Sequence, residues 1–183
     1  MIKGEKILKD FKKEKDMPEE VIERYRDLVP KEMIEIWEKY GLGSFMNGYL
    51  RVINPDNYKK LVEETYFRGK DSIPIFITAF ADVVTWEKNE FIGIVKYKVL
   101  DCDILWQGMG DFFELLGDRD FIDDNFELKM YNKALKLHGE VKYEDCYCFV
   151  PIIPVGGKKI ENLKKGEAFT HIEVIVSLMG RVE

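Results

Sequence analysis

Histidine, cysteine and proline are scarce in this chain of 183 residues, which holds two, three and six of them. With only His138 and His171, a nucleophile with its base has few ways to assemble, and one histidine is expected on a helix and the other in an apolar segment. Cys102, Cys146 and Cys148 are an odd set without a Cys-x-x-Cys knuckle, which argues against a disulfide framework and a zinc site and for free thiols in a reducing compartment. No apolar run approaches the roughly 20 residues of a spanning helix, and the run FVPIIPV is cut by prolines. The start, MIKGEKILKDFKKEKD, interleaves lysines with acids and lacks the apolar centre of a signal peptide. A cytoplasmic protein without a membrane partner is therefore expected. Basic excess is absent too, since the net charge is −6, and this disfavours nucleic acid as a partner.

What the chain does have is apolar and aromatic mass: 46% hydrophobic and 13% aromatic residues beside 34% charged ones. That balance suits a soluble globular chain, and the length suits one domain, or two small halves sharing a core. The charge is unevenly spread. Between Asp101 and Glu127 seven aspartates and two glutamates face one basic residue, Arg119, so this window carries −8 and the remainder +2. Such a window permits docking on a cationic protein.

Helix signals dominate the first third. Asp16 as cap, Pro18 and the stripe Val21, Ile22, Tyr25 and Leu28 predict a helix over 16–28. Pro30, the stripe Met33, Ile36, Trp37 and Tyr40, and the stop Gly41 predict a second. Asn47-Gly48 marks a hairpin or strand within FMNGYLRVI, and Asn54-Pro55 opens a third helix bearing Tyr58, Leu61, Val62 and Thr65. From Ile73 the period becomes that of strands in IPIFITAF, VVTW and FIGIVKYKVL, which predicts an antiparallel meander. A strand over 102–106 follows, then a short helix capped by Asp111, the acidic loop GDRDFIDDN, a helix over 126–138 stopped by Gly139, and a strand in CYCFVPIIPV. The last element, 169–179, fits both periods and is read as a helix because Gly166 and Gly180 bracket a span long for a strand. The expected class is α+β, a central antiparallel or mixed sheet with helices packed around it in a single compact domain.

Each candidate for chemistry is incomplete. Gly156-Gly157-Lys158 lacks the glycine that a phosphate loop needs at Ile152 and the hydroxyl it needs at Lys159. Cys146 and Cys148 would share one face of a strand near His138, but a fourth metal ligand is wanting. Asp118, Asp120, Asp123 and Asp124 do not follow the calcium-loop pattern, and Glu127-Leu128-Lys129 sits on a helix, where the similar segment of metal nucleases uses a strand. Trp37, Trp86 and Trp106 are read as core in preference to a ligand platform. No catalytic residue, metal or cofactor is assigned, and a binding protein is expected rather than an enzyme. A site assembled from scattered residues and a regulatory scaffold remain the alternatives.

Two long segments resemble known families. VPKEMIEIWEKYGLGSFMNGYLRVINPDNYKKLV with IPIFITAFADVVTW resembles the GAD-like domain of bacterial proteins, on Pro30, Trp37, Tyr40-Gly41, Gly48, Asn54-Pro55, Ala79-Phe80, Asp82 and Trp86. ALKLHGEVKYEDCYCFVPIIPVGGKKIENLKKG with HIEVIVSLMGRV resembles the C-terminal domain of type VI secretion immunity proteins, on Phe149, Pro151 and Gly156-Gly157. The helix followed by Tyr-Gly-Leu-Gly also resembles the SMI1/KNR4-like immunity superfamily. Ala81 departs from the Ala-Phe-Gly-Asp of the first family, and the basic start has no evident counterpart there. The implied organisation is a basic extension or helix start at 1–16, a GAD-like half at 17–100 and an immunity-type half at 101–183, sharing one core. The implied function is immunity: binding a cognate, co-encoded toxin, in the best-known case a DNase. The surface nominated for docking is Asp101, Asp103, Asp111, Asp118, Asp120, Asp123 and Asp124, whose carboxylates would stand where a toxin's basic groove expects phosphates.

Overall fold

The computed structural model describes residues 2–183. Strand β1 (Lys12–Lys15) precedes two helices, α1 (Glu19–Tyr25) and α2 (Lys31–Lys39), and the hairpin of β2 (Leu42–Phe45) and β3 (Leu50–Val52). Helix α3 (Pro55–Thr65) leads into β4 (Ser72–Thr78), β5 (Val83–Glu87), β6 (Phe91–Lys96) and β7 (Asp101–Gln107). Helices α4 (Phe112–Leu115), α5 (Arg119–Asn125) and α6 (Leu128–His138) follow. The chain closes with β8 (Asp145–Phe149), the short α7 (Ile153–Gly156), β9 (Leu163–Glu167) and α8 (Ala168–Met179). Strands β1 to β7 form one sheet in chain order, every neighbour antiparallel, while β8 and β9 form a separate hairpin. The α+β class and the meander are as expected, and the sheet is antiparallel throughout.

Alternation along the strands builds two cores. Val84, Trp86, Ile92 and Ile94 face one side with Phe45, Phe76 and Leu105, where α1, α2 and α4 to α6 cover them. Val83 and Val95 face the other with Ile77, under Leu61 and Val62 of α3 and Ile172 and Ile175 of α8. A period of two sends successive side chains to opposite faces, so a fully covered sheet needs apolar residues at both parities. Strand β8 divides in the same way, sending Tyr147 and Phe149 to the first core and Cys146 and Cys148 to the second. Both cores draw on residues from either side of position 100.

Several local expectations need correction. Asp16 caps nothing: α1 starts behind Pro18, and Asp16 pairs with Lys13. The segment read as an extension or helix start holds a short turn of helix at Glu5–Leu8 and then β1, which no apolar alternation could announce because all four of its residues are exposed edge. The stretch read as an acidic loop is largely α5, capped by Asp118, which accepts from Phe121 N at 2.9 Å. Asp111 stands at the cap position of α4 but bonds Lys3 instead. Strand β9, Leu-Lys-Lys-Gly-Glu, had no visible strand period. Trp37 and Trp86 are core, whereas Trp106 is 42% exposed on β7. Asn54 does cap α3, accepting from Asp56 N at 3.0 Å, and Gly41 ends α2 at φ 73° with its Cα hydrogen toward Lys15 O, where a side chain would collide.

Burial raises the Tyr97 and Tyr131 hydroxyls to about 12. Both are engaged as neutral groups, Tyr97 with Thr65 Oγ1 at 2.8 Å and Tyr131 donating to Asn47 O at 2.6 Å. An unfolded tyrosine ionises near pH 10, so their contribution is intact below about pH 10 and is lost as pH rises toward about 12. Urea midpoints should therefore decline above about pH 10. A midpoint that held constant or rose from about pH 10 to 11 would contradict the assignment.

Candidate binding groove and acidic rim

A broad surface depression, about 1120 Å³, lies between the N-terminal turn, the β2–β3 turn and α4 to α6. Its floor is apolar, with Ile2, Ile7, Met46, Phe113, Leu116, Ile122 and Leu128. One wall is the N-terminal segment, expected as a basic extension or helix start. Lys3 fastens it to Asp111 and Glu114, each at 2.7 Å, and these carboxylates raise the lysine's affinity for its proton. Glu5 bonds Lys39 and accepts from Tyr40 Oη at 2.7 Å, which holds its carboxyl below the usual range. Asp10 accepts from the backbone N–H groups of Met46 and Asn47, at 3.2 and 2.6 Å, and so fixes a turn whose two residues have positive φ. The apolar residues Ile2, Ile7 and Leu8 were the available signal for this wall.

The opposite wall is the acidic window, and folding sorts its seven nominated aspartates into two groups. Asp103 pairs with Lys96 at 2.7 Å, Asp111 with Lys3, and Asp123 with Lys129 at 2.7 Å and Arg119 at 4.0 Å. Asp118 is occupied as the cap of α5. Asp101, Asp120 and Asp124 are exposed and form no ion pair among the described residues. Asp101 accepts from Cys102 N on the open edge of the sheet. The far end of that edge touches α5, where Trp106 meets Phe121 edge to face at 6.5 Å, so β7 and the acidic helix adjoin. Asp118, Arg119 and Asp123 line the groove itself.

Behind this face lies a chain of four charges that the window count hid. Lys98, 5% exposed inside the fold, bonds Asp82 and lies 3.0 Å from Glu127 Oε2, while Glu127 Oε1 takes Lys158. Asp82 Oδ1 has no hydrogen-bond partner among the described residues, and the Lys98–Glu127 contact lacks hydrogen-bond geometry. Burial and the neighbouring Lys98 charge lower the Lys158 ammonium. A buried charge in a turn beside apolar strands, as Asp82 is before β5 and Lys98 is after β6, signals a buried partner, but not which one. A second buried carboxylate, Glu87, accepts from Thr85 Oγ1 at 2.8 Å and Tyr66 Oη at 3.1 Å, with Arg68 Nε 3.4 Å from its other oxygen.

The remaining candidates resolve into structural roles. Lys158, third in the glycine-glycine-lysine turn, is engaged by Glu127, and Lys129 by Asp123, which takes apart the Glu-x-Lys segment. His138 packs at a tilt against Tyr147 and meets Ile160 O at 3.1 Å, away from the cysteines, whose histidine neighbour is His171. No cluster of three or more His, Cys, Asp or Glu among the described residues is placed to hold a metal ion. No described helix is long and apolar enough to cross a membrane.

The fold has a solved counterpart in the crystal structure of Atu4351 from Agrobacterium tumefaciens, which superposes with a TM-score of 0.74 at 20% identity over 92% of this chain and 86% of that one. At that identity the likeness speaks for the fold. No curated protein sequence matches the chain. Residues 4–97 match the GAD-like domain and residues 107–179 the C-terminal domain of the type VI secretion immunity protein Tdi1. The first match begins well inside the basic start, which therefore does have a family counterpart. On these two matches the chain belongs to the GAD-like family and carries the C-terminal domain of type VI secretion immunity proteins.

Proposed function

We propose that the protein neutralises a co-encoded secreted toxin by direct binding, and that the toxin is a nuclease whose basic substrate groove receives the acidic β7–α5 face. The C-terminal family match carries the immunity reading. The sign of the partner rests on Asp101, Asp120 and Asp124, exposed carboxylates that form no ion pair among the described residues; two of them lie on α5, the helix whose Arg119 and Asp123 line the apolar groove. A broad groove with an apolar floor suits a protein surface that needs both area and charge. A polar pocket with converging carboxylates would instead have suited an enzyme. Opposite potentials accelerate encounter and make it sensitive to salt.

The test is co-expression with the toxin encoded beside the gene, scoring survival, followed by binding kinetics on the purified pair. The unmodified protein should protect and co-purify. The triple variant Asp101→Lys, Asp120→Lys and Asp124→Lys should associate about tenfold or more slowly and lose most of its salt dependence. Equal association rates for the two would place docking elsewhere, and an unprotected cell with no complex would remove the toxin-binding reading.

A further inference from the structure

Cys146 and Cys148 alternate with Tyr147 on β8, so both thiols point to the same face, and their sulfurs stand 3.5 Å apart. All three cysteines of the chain are free. Cys146 is fully buried and Cys148 is 6% exposed, which makes Cys148 the sulfur nearer solvent. The opposing strand makes room for them. Gly166 faces Cys146 across the hairpin, and a Cβ there would lie 3.0 Å from Cys148 Sγ.

One cation and one imidazole flank the pair. The imidazole of His171, on α8, lies against Cys148, and the buried Arg51 guanidinium projects its field onto Cys146. Arg51 donates through Nη1 to the carbonyls of Tyr143 and Asp145, while its Nη2 has no partner. The Asp145 and Glu167 carboxylates act on the thiols in the opposite sense to Arg51. The contact with Cys146 Sγ and, further, His171 hold Cys148 below the usual thiol range against the effect of burial, and Cys148 Sγ also lies 3.8 Å from Cys146 O. The same contact, together with burial, holds Cys146 high. Of the two sulfurs, Cys148 is the one that has both the histidine and the access.

We propose that Cys148 and Cys146 form a peroxide-reactive dithiol, in which Cys148 attacks and Cys146 resolves. The Cys148 thiolate displaces hydroxide from hydrogen peroxide, giving the sulfenic acid. Cys146 then attacks Cys148 Sγ, forming the disulfide and losing its proton, while the sulfenic oxygen leaves as water. Peroxide accepts the two electrons. A small oxidant is required because so little of Cys148 reaches solvent. The sulfurs must close from 3.5 Å to about 2.05 Å, and residues two apart on a strand have Cα atoms near the upper limit for a bridge. The oxidised hairpin is therefore drawn out of register with β9, and since β8 feeds both cores, the oxidised protein melts at a lower temperature than the reduced one. This chemistry does not depend on toxin binding.

The full chain, reduced and then treated with hydrogen peroxide at neutral pH, is alkylated and weighed. Two of its three thiols should become blocked, with a loss of about 2 Da that dithiothreitol reverses, while Cys102 stays alkylatable. Cys146→Ser should accumulate a dimedone-trappable sulfenic acid at Cys148. Cys148→Ser should leave Cys146 unreactive, and His171→Gln should slow the reaction about tenfold without unfolding the chain. The proposal is overturned if both thiols survive a peroxide dose that oxidises free cysteine, if Cys102 reacts first, or if Cys148→Ser oxidises as fast as the unmodified protein.

Discussion

Replacing Lys98 by methionine is expected to destabilise the protein by about 3–5 kcal/mol, the usual cost of stripping one partner from a buried ion pair. Methionine matches the length of the lysine stem, so the change removes charge with little loss of volume. It leaves Asp82, whose Oδ1 already lacks a partner, with only Thr78 Oγ1 at 3.4 Å. Glu127 keeps Lys158 but loses its inner cation. The cost falls on the joint between the family segments, because Asp82 and Lys98 precede position 100 and Glu127 and Lys158 follow it. Urea unfolding measures it directly. The double variant Asp82→Asn with Lys98→Met should recover part of the loss, since it removes the stranded charge as well as its partner. A loss under about 1 kcal/mol for Lys98→Met would mean that water or a mobile side chain satisfies Asp82, and the buried network would have to be discarded.

A comparable loss, about 3–5 kcal/mol, is expected for Phe76→Ala. Phe76 is fully buried on β4 and meets Phe45 at 5.9 Å, Phe113 at 6.1 Å and Phe112 at 6.2 Å between ring centroids. Its contacts join the β2 strand to α4, so the cavity left by alanine opens between elements from both halves of the chain. Bulky rings on three sides cannot all collapse into it, which sets the cost toward the high end of such substitutions. Leu178→Ala on α8, where the leucine is 67% exposed, serves as the control and should stay within about 0.5 kcal/mol. If the two variants unfolded at the same urea concentration, the aromatic cluster would not be the centre of this core.

Much of the architecture was readable from local pattern. Val83–Glu87 and Phe91–Lys96 announce strands because β-branched residues fill both faces of a covered sheet. Asn54-Pro55 and Gly41 announce helix ends because a side-chain acceptor, a fixed φ and a left-handed stop are each supplied by one residue type. Ala81 is legible in the same way, in reverse. It holds φ 61°, a left-handed backbone that favours glycine, so alanine there carries some strain and the departure from Ala-Phe-Gly-Asp has a local cost.

The elements that were missed share a cause. Strands β1 and β9 and helix α5 are short, polar and largely exposed, so no apolar period marks them. Trp106 was misassigned because a tryptophan on an edge strand and one on a central strand have the same local sequence signature. The groove was invisible for a different reason: its two walls lie far apart in sequence, and Lys3 meets Asp111 across 108 positions.

By itself, then, the sequence determined the order and type of the longer elements, the acidic sign of the window from Asp101 to Glu127 and the resemblance to an immunity family. Only the tertiary structure decided which of those acids stay uncompensated, which histidine meets the cysteines, and that the N-terminal segment walls a groove. Backbone periodicity and capping act over a few residues and are written in neighbouring letters. Charge compensation acts through a few ångströms of space, and folding alone sets which residues are that close.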